Sequence, residues 1–487
     1  MLIKDILLRQ KSNDNLAVTF GKEKLTYRQL FEFVQKNADK LKIYASNSHN
    51  IGLLLPNSSN YIIGLFTILF LDKAAVPLEA SIKKSELKNI INYCDINLII
   101  TDTKHKKLLT DVENINIFDI ETNTLEINSQ SCIKCDLQTH FDDVTMLMHT
   151  SGSSDKPKRV MLTNRNIISN IEANIEALNI KENDKTLISL PMYFSYCNTA
   201  QLLSHMYVGA QIVILDTIFL PHIFFSIVEK EKITNFMTVP TIIKTLLNYS
   251  NQKTIQSLKW ISIGGAPIDN ETFKKLIESF KDIEFIKTYG LTEASPRVST
   301  LLSKDCRTKT ASIGKPMKGI EVKIILENGN EAKEYEKGEL SLKGDNVMKG
   351  YYKNTQETAK TIKDGWLHTG DIGYYDEEGF IYLSGRKKNI IISNGINIYP
   401  EEIEDVLMSH HAVEQAYVYG ILNETYGEIP EAKIVIKKET AISDMELLQY
   451  CREKLSDYKI PAKIIFVDKL QYTNNMKIKR TESLNVK

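Results

Sequence analysis

The feature that most restricts this chain's fold is an alternation. Short apolar runs, among them Ile51 to Leu55, Ile96 to Thr101, Lys185 to Leu190, Gln211 to Leu215, Ile233 to Thr238 and Lys259 to Ile263, are separated by stretches with helical spacing such as Asn164 to Leu178 and Ile268 to Phe280. Runs that are apolar throughout suit strands covered on both faces, and parallel neighbours need a helix-length crossover. The expectation is an α/β chain: a large N-terminal region of stacked, mostly parallel sheets. At 487 residues it exceeds one ordinary core, so two or three domains are expected.

Local signals fill in the order. Leu25-Thr26-Tyr27-Arg28-Gln29-Leu30 reads as a helix start, with Thr26 as cap and Gln29 reaching back. A helix is expected from Thr199 to Tyr207 and a strand from Ile283 to Lys287, while residues 102 to 140 carry little pattern and read as a variable connection. From Ile320 onward short strands and turns (EVKIIL, GELSLKG, GFIYLSG) predict a β-rich subdomain. Gly385-Arg386-Lys387-Lys388-Asn389 is a charged joint. Beyond it lies a compact unit that reads as a small α+β domain, opening near Pro400 with Ile403, Val406 and Leu407 on one helical face. The boundaries expected are 1–385, 386–389 and 390–487.

Composition excludes several functions. Lys plus Arg equals Asp plus Glu at 61 each, which favours neither nucleic acid nor a membrane surface as partner. The most apolar window, Tyr61 to Leu71, is about half the ~20 residues a bilayer span needs, so a buried helix is expected. MLIKDILLRQK has neither an apolar h-region nor a cleavage site, which predicts a cytoplasmic protein. Of the six cysteines only Cys132-Ile-Lys-Cys135 has metal or redox spacing, and no second Cys/His pair lies near it, so reduced thiols are expected.

Chemistry concentrates in VTMLMHTSGSSDKPKRV, residues 144 to 160. A buried strand feeds a hydroxyl-rich turn, Thr150, Ser151, Gly152, Ser153 and Ser154, with Lys156, Lys158 and Arg159 at its far end. Hydroxyls and free N–H groups can donate to phosphate oxygens, Gly152 permits close backbone approach, and lysines supply charge. A polar surface turn is the plainer alternative. The G-x-x-x-x-G-K-[ST] loop of kinases and GTPases is absent, since the second glycine and the Lys-Ser/Thr pair are missing.

Along nearly its whole length the sequence resembles the adenylate-forming superfamily of acyl-CoA synthetases, peptide-synthetase adenylation domains and luciferases. LTYRQL, AVPLEA, TSGSSDKPKRV, SLPMYFSY, GGAP, YGLTEASPR, GEL with MKGYY, HTGD, GRKKNIIISNGINIYPEEIE and NNMKIKR stand in the family's order. The resemblance implies activation of a carboxylate by Mg-ATP to an acyl-adenylate, with capture by a thiol. It implies that Thr150 to Ser154 and Lys158 hold the β- and γ-phosphates, that Gly264, Ala266 and Pro267 pack against adenine and that Tyr289 stacks on its other face. Thr292 would bond the α-phosphate, Glu293 would ligate Mg²⁺, Asp371 would accept the ribose hydroxyls, and Arg386 would add a ribose or phosphate contact. Lys477 would bridge the substrate carboxylate and the α-phosphate. Lys388 would be the hinge, Gly395 would line the thiol channel, and Tyr193 and Phe194 would line the acid pocket.

Some positions depart from the family pattern. Asp155 and Arg159 stand where glycine is usual, so Asp155 is expected either to face solvent or to weaken ATP binding, with Arg159 as partial offset. Asn164 and Phe194 replace histidines, and Met476 replaces the glycine before the tail lysine. Between Ser189 and Gly209 there is no Asp or Glu to pair an ammonium, which favours a non-amino carboxylic acid, fatty or aryl, in fatty acid or secondary metabolism. CoA is the expected acceptor and a carrier-protein phosphopantetheine the alternative, in a monomer or homodimer. A degenerate sensor of AMP or acyl-adenylate and a plain NTPase are the competing readings.

Overall fold

The computed structural model describes residues 1–46, 48–128, 143–150, 158–249, 256–393, 396–423, 426–438 and 440–471. The alternation folds into two sheets with parallel centres. The first has nine strands, in the order Lys315–Pro316, Arg297–Leu301, Glu284–Gly290, Trp260–Ile263, Asn235–Thr238, Lys185–Ile188, Gln211–Ile214, Leu16–Phe20 and Glu23–Thr26. Its middle pairs are parallel and its edges antiparallel. The second has eight, with Asn50–Leu54 between Ala74–Pro77 and Ile96–Thr101 at its centre, and Val144–His149 and Arg159–Thr163 towards one edge.

One apolar core spans both sheets. The helix Ser59–Phe70 buries ten of its twelve residues in it, which accounts for the most apolar window of the sequence. No helix among the described residues is long and apolar enough to cross a membrane. The helix Tyr27–Leu41 starts as expected: Gln29 N–H donates to Thr26 Oγ1 at 3.2 Å, and Thr26 N–H to Gln29 Oε1 at 2.9 Å.

Three local expectations change. The connection after residue 102 carries strands Asn116–Asp119, parallel to Ile96–Thr101, and Thr124–Glu126. Ile117 and Phe118 become strand residues because a buried parallel neighbour completes their hydrogen bonds, a non-local cause. The expected helix at Thr199 begins at Tyr196 as a π-helix to Leu203, then continues as Ser204–Val208 until Gly209 ends it at φ 82°. The strand expected to end at Lys287 continues to Gly290.

From Ile320 the chain forms an antiparallel sheet of Ile320–Ile325, Gly338–Gly344, Trp366–Tyr375 and Ile381–Arg386, with Ile362–Lys363 beside it. A short turn, Lys387–Asn389, leads to the last sheet, built on the hairpin Val413–Asn423 and Gly427–Ile436 and covered by helices Pro400–Met408 and Asp444–Lys454. That unit has its own core, including Ile403, Leu407 and Val418. The four cysteines among the described residues are free and buried, and Cys132 and Cys135 lie outside them.

Candidate active site

The site is organised by the turn that joins Glu284–Gly290 to Arg297–Leu301. Gly290 pairs with Arg297 across the antiparallel ladder, and a Cβ on Gly290 would lie 1.9 Å from the Pro296 carbonyl oxygen, so only glycine lets the limbs close. Leu291 N–H donates to Pro296 O at 2.7 Å. Two buried amides brace the crest from outside: Asn170 Nδ2 donates to Arg297 O at 2.6 Å and Ala294 O at 3.3 Å, and Asn346 Nδ2 to Ala294 O at 3.0 Å. Ser295 Oγ donates to Asn346 O at 2.8 Å. Neither asparagine was expected at the site. The available signal was a polar residue, Asn170, on the apolar stripe of an amphipathic helix.

This frame presents Thr292 and Glu293. Thr292 Oγ1 lies 3.0 Å from Ser195 Oγ, at the start of the π-helix. Glu293 Oε1 accepts from the Tyr351 hydroxyl at 2.9 Å, and burial, reinforced by that carboxylate, pushes the Tyr351 hydroxyl up, so it remains a donor. The Tyr351 ring also carries Lys158 Nζ at 5.2 Å from its centroid. Lys158 is ion-paired with Glu357. Sequence reasoning missed Tyr351 and Glu357, which are distant in the chain from Glu293 and Lys158.

On the other side Tyr289 donates its hydroxyl to Asp371 Oδ2 at 2.5 Å. Burial, then the Asp371 charge, raises the Tyr289 hydroxyl well above its usual range. The second Asp371 oxygen takes Arg386 Nε at 2.6 Å, and Arg386 Nη1 donates to Thr369 O at 3.1 Å. Asp371 and Arg386 are opposite partners in one antiparallel ladder. Asp371 is buried, and its backbone N–H donates to Thr369 Oγ1 at 3.0 Å, which fixes the backbone from which the carboxylate projects. The residues expected around a ribose therefore converge, with a tyrosine hydroxyl between them.

Gly264 lies at the end of strand Trp260–Ile263, where a Cβ would approach Thr288 Oγ1 to 2.5 Å and Tyr196 Cε2 to 3.3 Å. Ala266 is half-buried and Pro267 exposed. Tyr193 and Phe194 pack together with ring centroids 4.4 Å apart, just before the π-helix. Burial and the neighbouring Glu79 raise the Tyr193 hydroxyl. The phosphate-type loop is pinned at its ends, Thr150 N–H donating to Lys158 O at 3.4 Å. Ser151, Gly152, Ser153, Ser154, Asp155, Gly395, Met476 and Lys477 lie outside the described residues. Arg159, read as a partial offset to Asp155, is buried, with Cys94, Glu86 and Tyr93 as its electrostatic neighbours. Alternation along its strand sends it to the face opposite Lys158. Lys388 is exposed in the turn that follows Arg386.

Glu293 is a hard oxygen donor with its carboxylate fixed by one hydrogen bond. No cluster of three metal-ligating side chains occurs among the described residues. A single carboxylate fits Mg²⁺ that arrives with phosphate oxygens and water, as that ion keeps several of its waters.

Comparison with known proteins gives the family. The family model for the AMP-binding enzyme matches residues 8–352, and that for the AMP-binding enzyme C-terminal domain matches residues 402–477. A 2-succinylbenzoate–CoA ligase of Bacillus licheniformis is 31% identical over 473 residues, covering 96% of each chain. One from Bacillus subtilis is 30% identical over 474 residues, covering 97% of this chain and 95% of the relative. The solved o-succinylbenzoate CoA synthetase (MenE) of Bacillus subtilis in complex with the acyl-adenylate intermediate OSB-AMP superposes with a TM-score of 0.87 at 29% identity, covering 98% of both chains. The same enzyme with ATP and magnesium ion gives 0.86 at 29% identity, over 97% of this chain and 98% of that one. Matched along both of its parts, the chain belongs to the AMP-binding enzyme family, the adenylate-forming acid–thiol ligases.

Proposed function

We propose that this protein activates a non-amino carboxylic acid with Mg-ATP and transfers the acyl group to CoA, with aryl acids of the 2-succinylbenzoate kind as the first candidates. The observation that carries the reading is one continuous run of side chains. Lys158 lies on Tyr351, Tyr351 holds Glu293, Thr292 and Tyr289 flank it on the same turn, and Tyr289 and Arg386 hold Asp371.

In the first half-reaction the acid's carboxylate oxygen attacks the α-phosphorus, an oxygen–phosphorus bond forms and pyrophosphate leaves. Two anions must meet, so the site's task is neutralisation and alignment. Lys158 and the 150–154 hydroxyls take the β- and γ-phosphates, Thr292 donates to the α-phosphate, and Glu293 holds Mg²⁺. Gly264, Ala266 and Pro267 with Tyr289 flank adenine, and Asp371 with Arg386 takes the ribose. Lys477 supplies the ammonium between the anions, an interaction greatest in the transition state. Tyr193 and Phe194 line the acid pocket.

In the second half-reaction the thiol sulfur attacks the acyl carbon and AMP leaves. Residues 390–487 act as a mobile lid on the 1–385 body, pivoting over 386–389 at Lys388, and Gly395 lets the pantetheine arm pass. The test is carboxylate-dependent exchange of labelled pyrophosphate into ATP, followed by CoA or a phosphopantetheinylated carrier protein as acceptor. AMP as the nucleotide product supports the ligase; ADP, or no exchange across fatty, aryl and amino acids, would remove it. Thermal shifts with AMP without any exchange would instead favour a sensor.

A further inference from the structure

Arg297 is 1% exposed, yet no carboxylate among the described residues pairs with it. Its Nε has no hydrogen-bond partner, Nη1 reaches Ser262 Oγ at 3.5 Å, Nη2 reaches the Met237 sulfur at 3.7 Å, and the Tyr196 side chain is its one further hydrogen-bond partner among the described residues. The flat face lies 5.5 Å from the Tyr196 ring centroid. The nearby His205 imidazole is driven down to about 4 by burial and is neutral. Five N–H donors with a permanent charge are thus held where water does not reach, and among the described residues only neutral groups answer them: the Tyr196 side chain, the Met237 thioether and the distant Ser262 hydroxyl. An uncompensated buried cation is costly, and the backbone fixes it there: Asn170 clamps both the N–H and the C=O of Arg297.

Its place gives the reason. Arg297 pairs with Gly290 across the turn that presents Thr292 and Glu293, and its side chain runs beneath strands Trp260–Ile263 and Asn235–Thr238. Tyr196, half-buried, covers it from the side of Gly264, and the neighbouring Ser195 touches Thr292. The guanidinium therefore lies behind the Tyr196 ring, between the turn that carries Thr292 and the segment that follows Tyr193 and Phe194, on the side from which an acid would approach the nucleotide in the proposed reaction.

Resting on the ligase reading above, we infer that Arg297 selects acids with a second anionic group, a distal carboxylate, which it binds bidentately while the other carboxylate is adenylated. A monocarboxylic analogue leaves the guanidinium without a partner and is rejected.

Pyrophosphate exchange with matched pairs tests this on the full chain: 2-succinylbenzoate against 4-oxo-4-phenylbutanoate, and glutarate against pentanoate. The wild type is expected to favour the diacid of at least one pair by about 100-fold or more in kcat/KM. In Arg297→Met that ratio is expected to fall below about 10, chiefly through the diacid's KM, with exchange of the monoacid retained. Arg297→Lys, which keeps the charge and loses the fork, should retain an intermediate preference. The wild-type comparison needs no variant, so a misfolded substitution does not blunt the test. Exchange with equal or better use of monoacids, or an unchanged ratio in a folded Arg297→Met, would overturn the proposal and leave the ligase reading standing. Absence of exchange with every acid would remove both.

Discussion

Tyr289 and Asp371, 82 residues apart, share a 2.5 Å hydrogen bond in which the phenol is the donor. Because burial keeps that hydroxyl protonated, it orients one carboxylate oxygen while Arg386 holds the other. Tyr289→Phe should leave the fold intact and loosen the Asp371 carboxylate. Hydrogen bonds to charged groups contribute about 1.5–3 kcal/mol, so the KM for ATP should rise about 10-fold with a smaller change in kcat. Initial-rate exchange at varied ATP measures it; an unchanged KM would mean that Asp371 does not meet the nucleotide.

Lys158 enters as an ion pair with Glu357, and both side chains are partly exposed. A triphosphate has to compete with that carboxylate for the ammonium. Glu357→Gln should therefore lower the KM for ATP about 2- to 5-fold, a modest effect because solvent screens the pair, and added salt should shrink the difference. Lys158→Met should raise the KM.

Lys477 is assigned to the charge that develops as the carboxylate reaches phosphorus. Lys477→Ala should lower pyrophosphate exchange by about 10²- to 10³-fold, as loss of one such donor does, and leave AMP binding by calorimetry within about 2-fold. Equal losses in both would make it a binding residue only.

His205 is fully buried, its Nδ1 at 2.7 Å from Gln201 O and Nε2 at 3.0 Å from Asn235 Oδ1. Burial lowers it from the usual 6.5 to about 4. The folded value lies below the unfolded one, so its contribution to stability is present above pH 6.5 and is lost as pH falls through 4. The wild type should lose about 3 kcal/mol from this group over that window. In His205→Gln denaturant midpoints should vary less with pH across it; equal slopes would refute the assignment.

Much of the frame was legible because its causes are local. The Thr26–Gln29 capping box and the Pro400 helix start are set by residues a few places apart, and both occur as read. The strands at Asn116–Asp119 and Thr124–Glu126 were not legible, since they owe their identity to a neighbour rather than to an alternating pattern. The π-turns of Tyr196–Leu203 have a tertiary setting: Thr199 Oγ1 donates to Ser295 O at 3.2 Å as well as to Ser195 O at 2.8 Å. In the site, Lys158, Tyr289, Thr292, Glu293, Asp371 and Arg386 are drawn together from distant stretches of the chain, whereas Glu357 and Asn346 carry no local mark of a role, and Tyr351, although inside MKGYY, carries none that points to Glu293. Arg297 was visible inside a motif, but that no carboxylate among the described residues pairs with it is a fact of three dimensions.

The bracing of the turn from Gly290 to Arg297 also bears on how this enzyme could be re-engineered. Carbonyls on the crest answer to amides from Asn170 and Asn346, and its base closes without room for a methyl group, so its backbone offers little latitude to a designer. The bonds that Asn170 makes at 297 are to the backbone and do not depend on the side chain there, and the Tyr196 side chain lies off the turn. Attempts to redirect the enzyme to new acids should therefore leave the scaffold of the turn alone and vary that pair, where new selectivity can be introduced without disturbing the nucleotide end.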